Sequence, residues 1–560
     1  MAKKIGVYVC ECGANIADNV DIDKVLAEVS SLSNVEVVEK HKLLCSEAGK
    51  AFLKESIQEH GLTNVVVAAC SPKQHELTFM NVCEQAGLNP YLLQLANIRE
   101  QCAWVTPDKE EATEKALRAT KAAISRVRYH APLEKKEVEC NPDVLVIGGG
   151  IAGIKAAQLL AGPHRKVYLV EKTASLGGKV NEFEKLFPNM DSAAAAISQE
   201  IQKLLQAENV EVLTESEVTE ILGFLGNFEV KVHKKAEDQE MGLDVGAIVL
   251  AIGFALLDPG SLSQYGYGKF DDVYTSLEFE RMNASGEILL KNGKQPGSVA
   301  IIHCVGREEK GYCSRVCCLH SLKFARYLKS RISGVKVSQF YSDLCIPGKS
   351  HQKFYEETKE LGVDFIRVQN TEVAENGKGM VIKYETEAGL KGSLEADMVV
   401  LSSAIEPSSD TSKFAEMLNI PLSESGFFSE EHEKLAPIST PAEGIFIVGC
   451  AQGPQSVADS VVQSEAAAGK ILSTLVPGKK LELEAKTSEI SDAFCTGCQT
   501  CISVCPYGAI TFDEAKRISV VNEVLCHGCG NCVAACPSGA ASLKHFTFTQ
   551  LYQELEEALR

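Results

Sequence analysis

Eight cysteines in the last stretch of the chain constrain its fold more than any other feature. They read Cys495-Thr-Gly-Cys498-Gln-Thr-Cys501-Ile-Ser-Val-Cys505-Pro506, then Cys526-His-Gly-Cys529-Gly-Asn-Cys532-Val-Ala-Ala-Cys536-Pro537. Each run has the spacing C-x2-C-x2-C-x3-C-P, in which three close thiolates wrap one cubane and the fourth reaches across to the other. That spacing assigns Cys495, Cys498, Cys501 and Cys536 to one [4Fe–4S] cluster. Cys505, Cys526, Cys529 and Cys532 hold the second. A tetrahedral zinc site has no use for eight thiolates in a doubled run. His527, between two ligands, reads as a turn residue. A segment that folds around such clusters implies the movement of single electrons.

Cysteine is abundant throughout, with 21 in 560 residues. The start of the chain shows no apolar leader, which predicts a cytoplasmic setting. Disulfides are disfavoured there, so clustered cysteines point to metal or redox chemistry. No run of about eighteen apolar residues is present to predict a membrane span. A net charge of −19 argues against nucleic acid as a partner.

The chain divides into three expected domains. Residues 1–135 alternate strand and helix (strands at 5–10, 35–41 and 64–70, helices at 20–32, 49–60 and 109–128), which predicts a small α/β unit. Residues 136–480 begin with a strand at 143–147 and end with a strand at 444–448 before a long helix over 456–475. Residues 481–560 hold the double cysteine run and a short amphipathic helix.

The middle domain opens with a strand, then Gly148-Gly-Gly150-Ile151-Ala152-Gly153, a helix, and a second strand ending in Glu171-Lys172. This is G-x-G-x-x-G in its required strand–turn–helix–strand setting. The glycines allow a tight turn and close approach to a pyrophosphate, and Glu171 is placed for ribose hydroxyls. With Leu176-Gly177-Gly178, Ala251-Ile-Gly253 and Gly444-Ile-Phe-Ile-Val-Gly449, the order resembles the thioredoxin-reductase-like flavoproteins with two dinucleotide-binding units. The resemblance implies FAD in the first unit, held by these glycines together with Ile151, Ala152, Glu171, Lys172, Lys179, Val218, Ala251, Cys450, Gln455, Ser456 and Val457. Cys450 stands where that family usually has an acid for the ribityl chain. The helix after Ser456 would present its positive end to the flavin.

The second unit, expected at about 296–405, departs from that family. Its first strand leads into Cys304-Val-Gly306-Arg307, then Gly311-Tyr-Cys313-Ser-Arg315-Val-Cys317-Cys318. The phosphate-cradling glycines are absent. Cys304, Cys313, Cys317 and Cys318 are read as ligands of a third [4Fe–4S] cluster, with Cys345 a spare candidate. Electrons would then reach the flavin singly rather than pairwise from a nicotinamide. A reactive or buried cysteine pair is the alternative.

In the N-terminal block, Cys10, Cys12, Cys45 and Cys70 fall at element ends that converge on one face of an α/β unit. Their spacing alone leaves buried thiols as open as a cluster. Cys83, Cys102 and Cys140 are not placed.

These parts together resemble the HdrA-like subunits of heterodisulfide reductase over nearly the whole sequence. The resemblance rests on Val9-Cys-Glu-Cys-Gly13, Ala69-Cys-Ser-Pro72, Gly148–Gly153, Ile302-His-Cys-Val-Gly306, Tyr312-Cys-Ser-Arg-Val-Cys-Cys318, Gln452-Gly-Pro454 and the double run. It implies FAD as an electron hub, a mid-domain cluster, and an N-terminal cluster on Cys10, Cys12, Cys45 and Cys70. It also implies a hetero-oligomeric assembly, itself capable of dimerising, with HdrB- and HdrC-like subunits, or another reductase, and an electron donor.

Three departures stand out. Fuller relatives carry a further ferredoxin module where 234–242 here bridges directly to the next strand. A cysteine-rich segment of the family is Ser192-Ala-Ala-Ala-Ala here, and Gln455 replaces a lysine of bifurcating relatives. The expected function is electron transfer within a cytoplasmic complex, of the heterodisulfide reductase or aromatic acyl-CoA reductase type, with bifurcation in question. The competing reading is a self-contained NAD(P)H-dependent disulfide oxidoreductase. It would need a free C-x-x-C and a second dinucleotide loop, and neither is present. A purely structural Fe–S scaffold leaves the FAD unit unexplained.

Overall fold

The first buried run, Ile5–Cys10, is apolar at nearly every position and follows no helical period, so it forms a strand covered on both faces. In this computed structural model, which describes residues 3–375 and 379–560, it lies inside a four-stranded parallel sheet. The order across that sheet is Val35–His41, Ile5–Cys10, Asn64–Ala69, Leu93–Asn97. Val7 and Val9 enter one core, and Tyr8 and Cys10 the other. The helix expected at 20–32 is shorter, Ile22–Ser30, because Asp21 caps it by accepting from the Lys24 N–H. The one expected at 49–60 starts earlier, as Glu47–Glu59, because the Ser46 hydroxyl accepts from Gly49 N–H.

The chain forms two compact units. The N-terminal segment to Val138 and Glu482–Arg560 form one, and Glu139–Leu481 the other. In the first unit the C-terminal helix Phe548–Leu559 packs on the helix Lys109–Val127. Arg126 donates to Glu554 at 2.6 Å and to the His545 carbonyl at 2.9 Å, and Gln550 donates to the Tyr129 carbonyl. The ferredoxin-like segment carries two short antiparallel pairs, Ser488–Ile490 with Ala541–Leu543 and Ile510–Asp513 with Ile518–Val521.

The second unit contains two parallel five-stranded sheets. The first is ordered Val210–Leu213, Val167–Val170, Val144–Ile147, Ala247–Leu250, Ile445–Ile447. Val144 and Val146 point into one core and Leu145 and Ile147 into the other, as a sheet covered on both faces requires. The strand order reverses between Val144–Ile147 and Ala247–Leu250, the topological switch point where such sheets bind ligands.

The second sheet runs Val273–Thr275, Met398–Ser403, Ser298–Val305, Lys336–Tyr341, Asp364–Arg367. It takes its edge strand from before residue 296. Two three-stranded antiparallel ribbons accompany these sheets. In one, the turn 235–238 joins Asn227–Lys234 to Gln239–Val245 directly, so the bridge expected at 234–242 is a tight hairpin. Among the described residues, no helix is long and apolar enough to cross a membrane.

Candidate functional site

The glycine loop sits at the switch point of the first sheet. Gly148 has φ +108°, and a side chain there would run into the Ala251 carbonyl. One on Gly153 would strike the Gly148 carbonyl, so this glycine serves close packing of helix on strand and does not face the cavity. Gly150 differs: a Cβ there would meet nothing within 4 Å, because it faces open space.

That space is a cavity of about 1010 Å³. Gly148, Gly150, Ile151 and Ala152 line one side of it. Glu171, Lys172, Gly177, Gly178 and Lys179 line the next, and Val218, Ala251 and Gly253 continue the wall. Gly449, Cys450, Gln455, Ser456 and Val457 close it at the start of the helix Val457–Thr474. The structure thus gathers round one cavity every residue expected to face a dinucleotide except Gly153. The Gly177 N–H donates to the Gly149 carbonyl at 2.8 Å, which zips the two glycine loops together. Glu171 Oε2 accepts from Gly149 N–H at 2.7 Å and keeps a lone pair open, while Oε1 accepts from both the N–H and the hydroxyl of Thr173. A Ser456–Asp459 capping box ties off the first turn of the Val457–Thr474 helix. A glycine cradle without side chains, a carboxylate at the strand end and a helix N-terminus fit FAD.

Sequence reasoning missed the opposite wall. Glu280 and Lys323 form an ion pair at 2.9 Å whose side chains are only 2% and 4% exposed. Lys323 also donates to the Lys185 carbonyl and lies over the Phe183 ring. Burial pushes its ammonium down, and Glu280 opposes that shift. Nothing in the sequence announces a partner for Lys323 as distant as Glu280.

Next to this cavity the strand Ser298–Val305 leads into the cysteine loop, and the helix Cys317–Arg331 starts on its last two thiols. Cys304, Cys313 and Cys318 all contact the Cys317 thiol. Contact with Cys317 draws Cys304 to about 5, Cys313 to about 6 and Cys318 to about 4, while Cys317 itself is pushed well up. Thiolates are the form iron ligation needs. Backbone amides of Arg315 and Cys345 donate to Cys313 and Cys318 at 3.3 and 3.4 Å. Such donors tune cluster potentials. The Cys345 thiol contacts Cys313 as a neighbour of the four.

In the N-terminal sheet Cys10, Cys12, Cys45 and Cys70 all lie at the carboxyl ends of strands or in the loops that follow, with Cys10 and Cys70 each within electrostatic range of Cys12 and Cys45. Cys12 has φ +48° and accepts from Arg99 at 3.4 Å. Burial pushes Cys10 up to about 11 and raises Cys70, with Arg99 opposing at Cys70. Cys83 is fully buried in its helix, and Cys102 donates to the Asn97 carbonyl, apart from the four.

In the tail, Cys536 stands within electrostatic range of Cys498, and Cys532 of Cys526 and Cys529, the grouping that crossed ligation requires. Ser488 N–H donates to Cys526 and Ala509 N–H to Cys505, both at 3.3 Å. Cys498 and Cys529 are exposed, whereas Cys501 and Cys532 are buried. Cys495 is partly buried. Among the described residues no three His, Cys, Asp or Glu side chains converge on one ion position. A cubane binds each thiolate through a different iron, so its ligands surround a volume rather than a point.

Fold and site together define a flavoprotein with two Rossmann-like units, only the first of which keeps a dinucleotide loop, joined to a ferredoxin-like iron–sulfur module. Residues 142–302 match the pyridine nucleotide-disulphide oxidoreductase family, and 494–540 match the 4Fe-4S dicluster domain. The first match implies FAD, the second [4Fe–4S] clusters. Solved structures with similar folds include thioredoxin reductases of T. acidophilum (TM-score 0.42, 16% identity, 59% of this chain and 98% of that one) and Lactococcus lactis (0.43, 18%, 60% and 99%). An HdrA iron-sulfur subunit of CoB–CoM heterodisulfide reductase from Methanopyrus kandleri is 36% identical over 100% of this chain and 99% of its own length. The HdrA subunit of the H2:CoB-CoM heterodisulfide, ferredoxin reductase from Methanothermobacter thermautotrophicus is also 36% identical, over 91% of each chain.

The chain belongs to the HdrA family of heterodisulfide reductase subunits. It is therefore an oxidoreductase subunit of the flavin and iron–sulfur type, part of a multi-subunit complex. Its alignment with the Methanopyrus relative spans 648 positions against 560 residues here, so that relative carries segments this chain lacks.

Proposed function

We propose that this chain is the FAD-centred electron hub of a cytoplasmic multi-subunit reductase, with four [4Fe–4S] clusters. The tail holds two, Cys304, Cys313, Cys317 and Cys318 hold a third, and Cys10, Cys12, Cys45 and Cys70 hold a fourth. One observation carries the reading. Where the second parallel sheet would normally turn into a phosphate-cradling glycine loop, Cys317 and the three thiols that contact it, Cys304, Cys313 and Cys318, occupy the turn and the helix start.

When bound, FAD exchanges electrons singly or in pairs, and each cluster exchanges one. The chain's residues position and tune these groups. Glycine backbone takes the pyrophosphate, Glu171 takes the ribose, and amides of Arg315, Cys345, Ser488 and Ala509 stabilise cluster charge. The partners are HdrB- and HdrC-like subunits, or a reductase of aromatic acyl-CoA thioesters, together with an electron donor. The tight hairpin at 235–238 suits a shortened hub of this kind. Flavin-based bifurcation is the form of this activity that Gln455 bears on.

Anaerobic iron and flavin counts test the assignment. About sixteen irons and one FAD per chain are expected, with no flavin reduction by NADH. About eight irons with rapid NADH oxidation would point to a self-contained disulfide oxidoreductase.

A further inference from the structure

Between the cysteine loop and the flavin cavity stands one residue that touches both. Arg315 has φ +59°, a conformation non-glycine residues adopt only when their surroundings hold it. Its backbone N–H donates to Cys313 Sγ at 3.3 Å. Arg315 lines the cavity, and its guanidinium donates to Gln455 Oε1 at 2.7 Å, with the Pro454 carbonyl at 3.5 Å and Asp459 Oδ2 at 3.8 Å. All three acceptors lie at the capped start of the Val457–Thr474 helix.

The contact continues inward. Gln455 donates to Gln452 Oε1 at 3.0 Å, Gln463 donates to the same oxygen at 3.3 Å, and Gly449 N–H donates to Gln463 Oε1 at 2.7 Å. An unbroken hydrogen-bonded path therefore runs from a cysteine of the loop to the glycine turn that closes the cavity.

We infer that Arg315 is a positioning residue that locks the cysteine loop to the flavin-side helix cap and adds a fixed positive charge to the cavity wall. The inference rests on the reading of the cavity as an FAD site and of the loop as a cluster site. Two physical consequences follow. A planar fork reaching two acceptors holds two walls at one separation, which a single-point lysine ammonium does not. A guanidinium stays charged at all working pH values, and a fixed positive charge favours the electron-rich state of whatever redox group the cavity holds. Asp459 offsets part of that charge but is itself engaged by Ser456 as the helix cap.

The test uses the anaerobically purified full chain. Flavin and iron counts on the unmodified protein come first, because a chain without FAD would overturn the FAD reading and this inference together. With FAD present, Arg315→Gln is expected to lower the flavin midpoint potential and weaken FAD retention roughly threefold to tenfold, with iron content unchanged. Arg315→Lys should restore the potential but only part of the retention. Gln455→Ala should weaken retention while leaving the potential nearer its original value, and the double variant should be no worse than Arg315→Gln alone. An Arg315→Gln protein with original potential and retention would overturn the link, as would additive effects in the double variant. If Arg315→Gln does not fold, the Lys and Gln455 variants still decide, since both predict weaker retention and unchanged retention in both overturns the lock.

Discussion

At the residue scale the glycines divide by what surrounds them. Gly148 and Gly153 are hemmed in by backbone, and Gly150 opens on the cavity. Gly150→Leu is therefore expected to leave the unfolding midpoint of the cofactor-free protein near its original value while weakening FAD binding by roughly tenfold or more. Fluorescence titration with FAD beside a thermal melt checks this. The Glu280–Lys323 pair responds differently. Lys323→Met strands a buried carboxylate and should cost about 3–5 kcal/mol in denaturant unfolding, whereas Lys323→Met with Glu280→Gln should recover much of it. The glycines were legible because their spacing repeats a backbone requirement. The ion pair was not, because its partners meet only when the cavity wall assembles.

Elements carry the pH dependence of the first unit. His130, near the end of the Lys109–Val127 helix, and His545, before the C-terminal helix, bring their rings within 4.4 Å in a buried seam. Burial pushes His130 down to about 3, with His545 and Arg126 adding to the shift, and burial lowers His545 as well. The folded seam thus binds fewer protons than the unfolded chain below the ordinary histidine value of about 6.5. Its contribution is intact above that value and is lost as pH falls toward 3, by up to ~1.4 kcal/mol per pH unit per histidine. Denaturant melts between pH 7 and pH 5 should show this loss, and His545→Gln should flatten it. A slope that His545→Gln leaves unchanged would place the titration elsewhere. Helix ends were legible to within a few residues. Their corrections came from caps at Asp21 and Ser46, whose side chains accept from the first turn.

For the whole molecule, exposed Cys529 offers the sharpest lesion. Cys529→Ala should remove one tail cluster, about four irons, and stop electron delivery through the tail while FAD stays bound. Iron analysis, the flavin spectrum and stopped-flow reduction by an artificial donor check it, and undiminished throughput would mean that electrons bypass the tail. Cys317→Ser should likewise lose about four irons from the second unit while the tail clusters remain, as a cluster-by-cluster spectroscopic count would show.

The sequence by itself determined the local chemistry: the double cysteine run, the strand–glycine–helix unit and the cysteine loop that replaces a second glycine loop. Each is set by spacings short enough for a few residues of backbone to impose. Only the tertiary structure decided which distant groups meet. It joined the N-terminal sheet and the ferredoxin-like tail in one unit, since partly buried contacts such as Arg126 with Glu554 link residues more than 400 positions apart. It brought Cys45 and Cys70 into range of Cys10 and Cys12, because parallel strands end on a common edge. It also set the Arg315 guanidinium against Gln455, a contact that exists only because the cysteine loop and the capped helix pack on the same cavity.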